Sequence, residues 1–272
     1  MSGIHMRLKS ELRDALDLAG AIAPGWTSLG ADDLARRLVR SPRLGDVAVG
    51  DLFTVSGTAD GTLRLVGDLR RAERLGAGLA EGTLIVDGDV GREAGALMAG
   101  GRFEILGSAG DGVGLAMAGG VLVVRGSAGA GAGAAAAGAK RGMTGGELII
   151  HGDAGDEAGA RMRRGLVAIA GRAGRAAGLA MIAGTVVASA LGPDAGLFSR
   201  RGTLVALGPV TPSPSYRLAC TTQPVVLRLL LRRLRDAHGF PVSAPQLEGF
   251  YRRYSGDFAE SGKGELFAWT AA

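Results

Sequence analysis

His151 is the one histidine with acidic company, because Asp153, Asp156 and Glu157 follow it closely. A histidine beside a carboxylate can be held in one tautomer and act as a general base, the chemistry an acyltransferase would ask of it. The matching slot of an earlier segment holds Asp87, so the position tolerates polarity in general, and a turn residue explains His151 equally well. His5, His151 and His238 stand far apart in the sequence, and none belongs to a metal-ligand spacing such as H-E-x-x-H. The single cysteine, Cys220, excludes disulfides, cysteine-based zinc sites and iron–sulfur clusters within the chain and suits a reducing compartment. Lys263, flanked by Gly262 and Gly264, can meet an anion or anchor a tail. These residues do not add up to an active site. The sequence assigns no catalytic residue, no cofactor-binding residue and no metal ligand, and no cofactor is expected in this chain.

The elements that would position such residues are written several times over. Segments open at Gly82, Gly101, Gly120, Gly146, Gly165, Gly184 and Gly202, at spacings of 19, 19, 26, 19, 19 and 18 residues. Each opening glycine leads into a short apolar run, such as Leu84-Ile85-Val86 or Leu148-Ile149-Ile150. A second glycine follows the run, except at Ala190, and begins a G-x-x-G-x-x-x-G pattern such as Gly107, Gly110 and Gly114. A methionine precedes the next opening at Met98, Met117, Met143, Met162 and Met181, with Leu79 in that place one segment earlier. A fixed period near 20 marks a solenoid. Helices fit poorly, since an interior glycine costs about 1 kcal/mol relative to alanine. Short strands joined by glycine turns fit better, because glycine adopts positive φ without a steric penalty.

Coils stacked at roughly 4.8 Å would make a column on the order of 30 Å, with the methionines as an internal ladder filling uneven gaps. The same recurrence removes Gly88-x-x-Gly91 as a phosphate loop, since its glycines serve coil geometry. The expected fold is all-β: a right-handed parallel β-helix of about seven 19-residue coils with short N- and C-terminal helical appendages. Left-handed hexapeptide helices require an apolar beat every six residues, which is absent. Calcium-binding rolls require an aspartate in every unit. Here the residue after the second glycine runs through Asp89, Ser108, Ser127, Asp153 and Arg172, so no calcium stack is implied.

Residues 1–45 read as an N-terminal cap, 46–209 as the β-helix and 210–272 as a C-terminal helix and tail. In the cap, residues 31–40 carry helix-like patterning with Leu34, Leu38 and Val39 on one face, punctuated by Pro24-Gly25 and Ser41-Pro42. Its task is to cover the open first coil. Residues 47–55 supply a first pair of strands, and an irregular coil opens at Gly61. Seven extra residues between Gly133 and Met143 bulge as a loop or serve as a partner-docking tongue. After an extended connector through Pro212 and Pro214, a helix starts at Thr222-Gln223-Pro224 and ends at Gly239. Leu227, Leu230, Leu231 and Leu234 share one of its faces, opposite Arg228, Arg232 and Arg235. It packs along the column or onto a partner rather than a membrane surface. Only Phe103 and Phe198 of the twelve aromatic residues lie in the repeats. Those crowded into the C-terminal segment, from Phe240 to Trp269, suit an interface or a capping mini-core.

The chain has 31 basic and 26 acidic residues, a net charge of +5. No aromatic platform is interleaved with the cations, which argues against nucleic acid and for a solvated coil face. The segment from Met1 to Arg7 has no apolar core of signal-peptide type, and the small-residue stretch 127–139 is too short to span a bilayer. A cytoplasmic location without membrane association is expected.

The glycine repeat resembles that of the C-terminal domain of the glutamate synthase large subunit. It is equally similar to the C subunits of formylmethanofuran dehydrogenase and of its bacterial relative, the formyltransferase/hydrolase complex. The two ends of the chain choose between these. Gly50-Asp51-Leu52-Phe53 resembles the first strand of the C-subunit families. Tyr254, Gly256, Asp257, Glu260, Gly262, Lys263, Gly264 and Glu265 resemble their tail, Y-x-G-D-x-x-E-x-G-K-G-E. The likeness covers nearly the whole chain; Ala190, Pro193 and the 18-residue last coil depart from the pattern and concern the regularity of the final coils.

The resemblance implies a non-catalytic scaffold subunit of a formyltransferase/hydrolase complex in tetrahydromethanopterin-linked one-carbon metabolism, from formaldehyde to formate, as in methylotrophy. A zinc hydrolase subunit, a dehydrogenase-like subunit and a formyltransferase subunit would be its partners and carry the chemistry. The polyglutamate tail of a furan cofactor of the formylmethanofuran or methylofuran type would find a basic wall here. The C subunit of an archaeal molybdenum or tungsten formylmethanofuran dehydrogenase is the alternative, and a stand-alone β-helix acyltransferase using His151 is a second. The Ala-, Arg- and Gly-rich composition favours the bacterial complex.

Overall fold

A computed structural model describes residues 3–22, 25–43 and 45–270. Met1, Ser2 and Pro24, which entered the reading of the leader and the first turn, lie outside the described residues. In chain order the elements are β1 (Gly3–Leu8), β2 (Leu16–Asp17), α1 (Ala31–Ala35), β3 (Leu38–Ser41), β4 (Gly45–Ala48), α2 (Val49–Leu52), β5 (Phe53–Thr58), β6 (Thr62–Val66) and β7 (Ala72–Glu73). The repeats follow as β8 (Thr83–Asp87), β9 (Arg102–Ile105), β10 (Val121–Val124), β11 (Glu147–Ile150), β12 (Leu166–Ala173), β13 (Thr185–Leu191) and β14 (Thr203–Ala206). Last come β15 (Arg217–Thr222), α3 (Val225–His238), α4 (Ala244–Glu248), β16 (Phe250–Gly256) and β17 (Gly264–Thr270). Among the described residues no helix is long and apolar enough to cross a membrane.

The chain is mostly β, and a long, mostly parallel sheet dominates it. Its 13 strands run in the order β15-β16-β17-β14-β13-β12-β11-β10-β9-β8-β6-β1-β5, and a small sheet has the order β4-β3-β2-β7. Equivalent residues of the repeats lie in register: Leu84 pairs with Phe103, and the line continues through Leu122, Leu148, Val167, Val186, Leu204 and Leu266. A second line, one bridge per repeat, joins Leu69, Val90, Ala109, Ala128, Ala154 and Ala173. All five repeat methionines are buried, as is Leu79. Their methyl groups lie over the opening glycines of the following repeat, where a Cβ on Gly146, Gly165 or Gly184 would come within 2.8–2.9 Å of a methionine Cε. Opening glycine and methionine therefore recur together because one leaves room for the other.

The middle glycine of each repeat admits main chain rather than side chain. A Cβ on Gly110 would stand 2.9 Å from the carbonyl carbon of Gly91, and one on Gly155 2.7 Å from the amide nitrogen of Ala130. Between them runs a polar ladder made by the variable residues after the second glycine. Asp89 Oδ1 accepts from the Ser108 amide at 2.7 Å, Ser108 Oγ from the Ser127 amide at 3.2 Å, Ser127 Oγ from the Asp153 amide at 3.1 Å, and Asp153 Oδ1 from the Arg172 amide at 2.7 Å. Any short acceptor satisfies a main-chain N–H of the next repeat, which explains why Asp and Ser interchange there.

Two expectations about the N-terminal segment are corrected. The helix expected over residues 31–40 stops at Ala35, and Leu38–Ser41 is a strand paired antiparallel with β4. Leu38, placed by the helical pattern beside Leu34, is 57% exposed, because the strand alternates and buries Val39 and Ser41 instead. The strands expected in residues 47–55 are interrupted by α2, whose first turn starts at Val49. The segment does more than cover an end: β1 pairs in parallel with β6 and adds a rung to the large sheet. The C-terminal helix matches its expected limits, with Gly239 in the left-handed conformation after His238.

Strand alternation also explains where that helix goes. Outward positions on β9 are polar, as at Glu104, whereas Val123, Ile149, Ala168, Val187, Val205 and Phe267 present apolar groups outward from β10 onward. Strands apolar on both faces must be covered on both. Leu227, Leu231 and Leu234 of α3 supply the cover, joined by Tyr251 in a second core.

Replacing Gly110 or Gly155 by Val is expected to lower stability by about 2–4 kcal/mol through backbone displacement, and Met117→Ala by about 2–5 kcal/mol through a cavity. Arg163→Ala, on an exposed residue, should stay within about 0.5 kcal/mol. Equal thermal midpoints for the four variants would contradict the stacked arrangement.

Candidate functional site

His151 follows β11, and its acidic sequence neighbours are committed elsewhere. Asp153 and Asp156 each accept a main-chain N–H of the next repeat, from Arg172 and Arg175, at 2.7 Å. Residues from other repeats and from α3 gather around the imidazole instead. Arg125, which follows β10, brings Nη1 to 3.1 Å from His151 Nε2. A guanidinium can only donate, so Nε2 accepts and the neutral ring carries its proton on Nδ1. Burial, then the positive charges of Arg125 and His238, hold the His151 pKa below its ordinary value, partly offset by a hydrogen bond to the His238 main chain and by Glu104. Arg125 also pairs with Glu104 of β9 at 2.5 Å, and Arg102 lies 3.6 Å from the same carboxylate.

Glu147, the first residue of β11, forms a second node with its side chain only 14% exposed. It accepts Arg233 at 2.5 Å and His238 Nε2 at 3.0 Å, both from the C-terminal part of α3. The His238 side chain is 6% exposed, and its Nδ1 is buried without a partner. The network therefore fastens the end of α3 across β9, β10 and β11. Sequence reasoning found His151 but missed Glu104, Arg125, Glu147 and His238, which lie up to 134 positions apart along the chain. The available signal was the glutamate heading an otherwise apolar β11, which needs a cation from whatever covers that face. Among the described residues no group of three or more His, Cys, Asp or Glu side chains is placed to hold a metal ion.

The tail motif serves closure of the last coil. Asp257 is fully buried, with Oδ2 accepting the Phe198 amide and Oδ1 the Ala259 amide, each at 2.7 Å. Tyr216 donates to the Gly196 carbonyl at 3.2 Å, shares a hydrogen bond with Ser199, and lies against Gly256, where a Cβ would meet its ring. Glu260 pairs with Arg200 at 3.4 Å, and Glu265 with Arg253 at 2.6 Å. Lys263 is exposed, as is Cys220 on β15.

The network has a pH signature. Because the folded His151 pKa lies below 6.5, the unfolded chain binds more protons between the two values, so stability rises with pH through that window and falls on acidification. His151→Gln should flatten the stability profile between about pH 7 and pH 5. An NMR titration midpoint for His151 at or above 6.5 would contradict the Arg125 contact.

No protein-family model matches the chain. The C subunit of the formyltransferase/hydrolase complex Fhc of Methylorubrum extorquens is 40% identical over 87 residues, a stretch that makes up 32% of each protein, so the match spans about a third of that curated relative. A chain in the crystal structure of the formyltransferase/hydrolase complex (FhcABCD) from Methylorubrum extorquens with methylofuran matches with a TM-score of 0.87 and 38% identity. That likeness covers 98% of the present chain and 100% of the other. Identity at this level over both full lengths reflects common descent, not fold alone. The chain belongs to the C-subunit family of formyltransferase/hydrolase complexes.

Proposed function

We propose that this chain is the non-catalytic scaffold subunit of a formyltransferase/hydrolase complex in tetrahydromethanopterin-linked one-carbon metabolism, acting in the cytoplasm and holding no cofactor of its own. The observation that carries the reading is the full-length likeness at 38% identity to a chain of such a complex. Its partners are the zinc hydrolase, dehydrogenase-like and formyltransferase subunits. The reading is favoured over an archaeal dehydrogenase subunit by both similar proteins. An acyltransferase using His151 is disfavoured because Arg125 already engages its Nε2.

The scaffold is a right-handed β-helix of about seven coils near 19 residues, with units at 1–45, 46–209 and 210–272. In-register parallel strands one period apart support the coil, and right-handed crossover is the rule for parallel strands. Exposed cations such as Arg163 and Arg164 offer attraction to the polyglutamate tail of a furan cofactor, which salt would screen. Purification of the native complex, with its chains and metals identified, tests the assignment. The expected result is co-purification with the three partner subunits and zinc, without molybdopterin or iron–sulfur clusters. A chain that purifies alone, or that turns over substrate in isolation, contradicts it.

A further inference from the structure

The two ends of the large sheet are finished differently. At one end α1 packs against the edge strand β5. At the other, β15 has β16 as its only strand partner, and Arg217 to Thr221 are exposed. An unpaired edge presents free N–H and C=O groups, and proteins usually blunt it with lysine, proline or a cover. β15 contains neither lysine nor proline, and its one irregularity falls between Leu218 and Cys220.

Apolar side chains line both sides of this edge. Leu218 stands opposite Tyr254, which shares a sheet face with Phe250 and Arg252; Tyr251 points the other way, into the core under α3. Leu218 is 58% exposed and Phe250 54%. On the α3 side, two residues beyond β15, Val225, Val226 and Leu229 are 63%, 80% and 60% exposed. Half of the ten large apolar side chains exposed among the described residues thus flank one strand. The rim is basic. Arg217 turns its guanidinium onto the Pro214 and Tyr216 carbonyls, and Arg252, opposite Thr221, is exposed on the neighbouring strand.

We propose that the β15 edge is completed by an extended segment of another subunit of the complex. Its alternating apolar residues pack on Leu218 and Phe250 on one side and on Val226 and Leu229 on the other, and acidic residues face Arg217 and Arg252. The inference rests on the complex assignment above. A second copy of this chain is a poor occupant, because edge-to-edge pairing would bring the Arg217, Arg252 and arginine-rich α3 of both copies together.

The test uses the full-length chain co-expressed with the other subunits, comparing the natural sequence with the double variant Leu218→Asp, Val226→Asp. Both positions are exposed, and an unchanged thermal midpoint of the isolated variant establishes that it folds. Capture of partner subunits should fall at least tenfold, and β15 amides of the natural chain should exchange more slowly in the complex than alone. Undiminished capture, with equal exchange in both states, overturns the inference and leaves the complex assignment standing. Failure of the natural chain to capture any subunit overturns both. A natural chain that is dimeric alone, and monomeric once substituted, makes the occupant a second copy and overturns the inference.

Discussion

Main chain touching main chain is the constraint on which this molecule depends. Where Gly110 faces Gly91, or Gly155 faces Ala130, no side chain separates one repeat from the next, and a single added carbon would fall inside van der Waals contact. That proximity lets amides such as those of Gly110 and Gly155 reach carbonyls of the preceding repeat at 3.1 Å. It also brings Asp89, Ser108, Ser127 and Asp153 within reach of successive amides. Buried main-chain polar groups are thereby satisfied without a regular strand at every side of the column. The methionines fill the space that the opening glycines leave, so packing inside and spacing of the backbone are two views of one requirement.

A second requirement begins at β10, where the strands become apolar on both faces. The column alone has no means of covering Val123, Ile149, Val187 and Val205 from outside, and α3 does so with its leucine face. Polar residues appear where the cover ends. Glu147 meets Arg233 and His238, and Arg125 bridges Glu104 and His151, so the charged network marks the margin of the lid. Functional chemistry and lid fastening ask for the same residue types, and here the geometry answers for fastening.

Legibility followed distance along the chain. The repeat, the buried methionines and the limits of α3 were plain in the sequence because each is governed by residues a few positions apart. Residues 31–40 misled because Leu34, Leu38 and Val39 suit a helix face, while pairing with residues 45–48, not local preference, made Leu38–Ser41 a strand. The site was less legible still. His151 was visible, but its partners come from β9, β10 and the far end of α3, and periodicity carries no record of which helix residue lands on which rung. The tail pattern could be matched to a family, yet its physical meaning, with Asp257 buried beneath Phe198, appears only in three dimensions.

A stack in which each repeat feels only its neighbours behaves as a row of weakly correlated units, able to fray from either end. α3 changes that in one half of the row. By gripping Val123 near its C-terminus and Phe267 toward its start, it acts as a strut laid along the pile, making the rungs beneath it yield together or not at all. The rungs from β1 to β9 have no such brace, so the mechanical character of the rod is lopsided: stiff and cooperative toward the C-terminus, yielding step by step toward the other end.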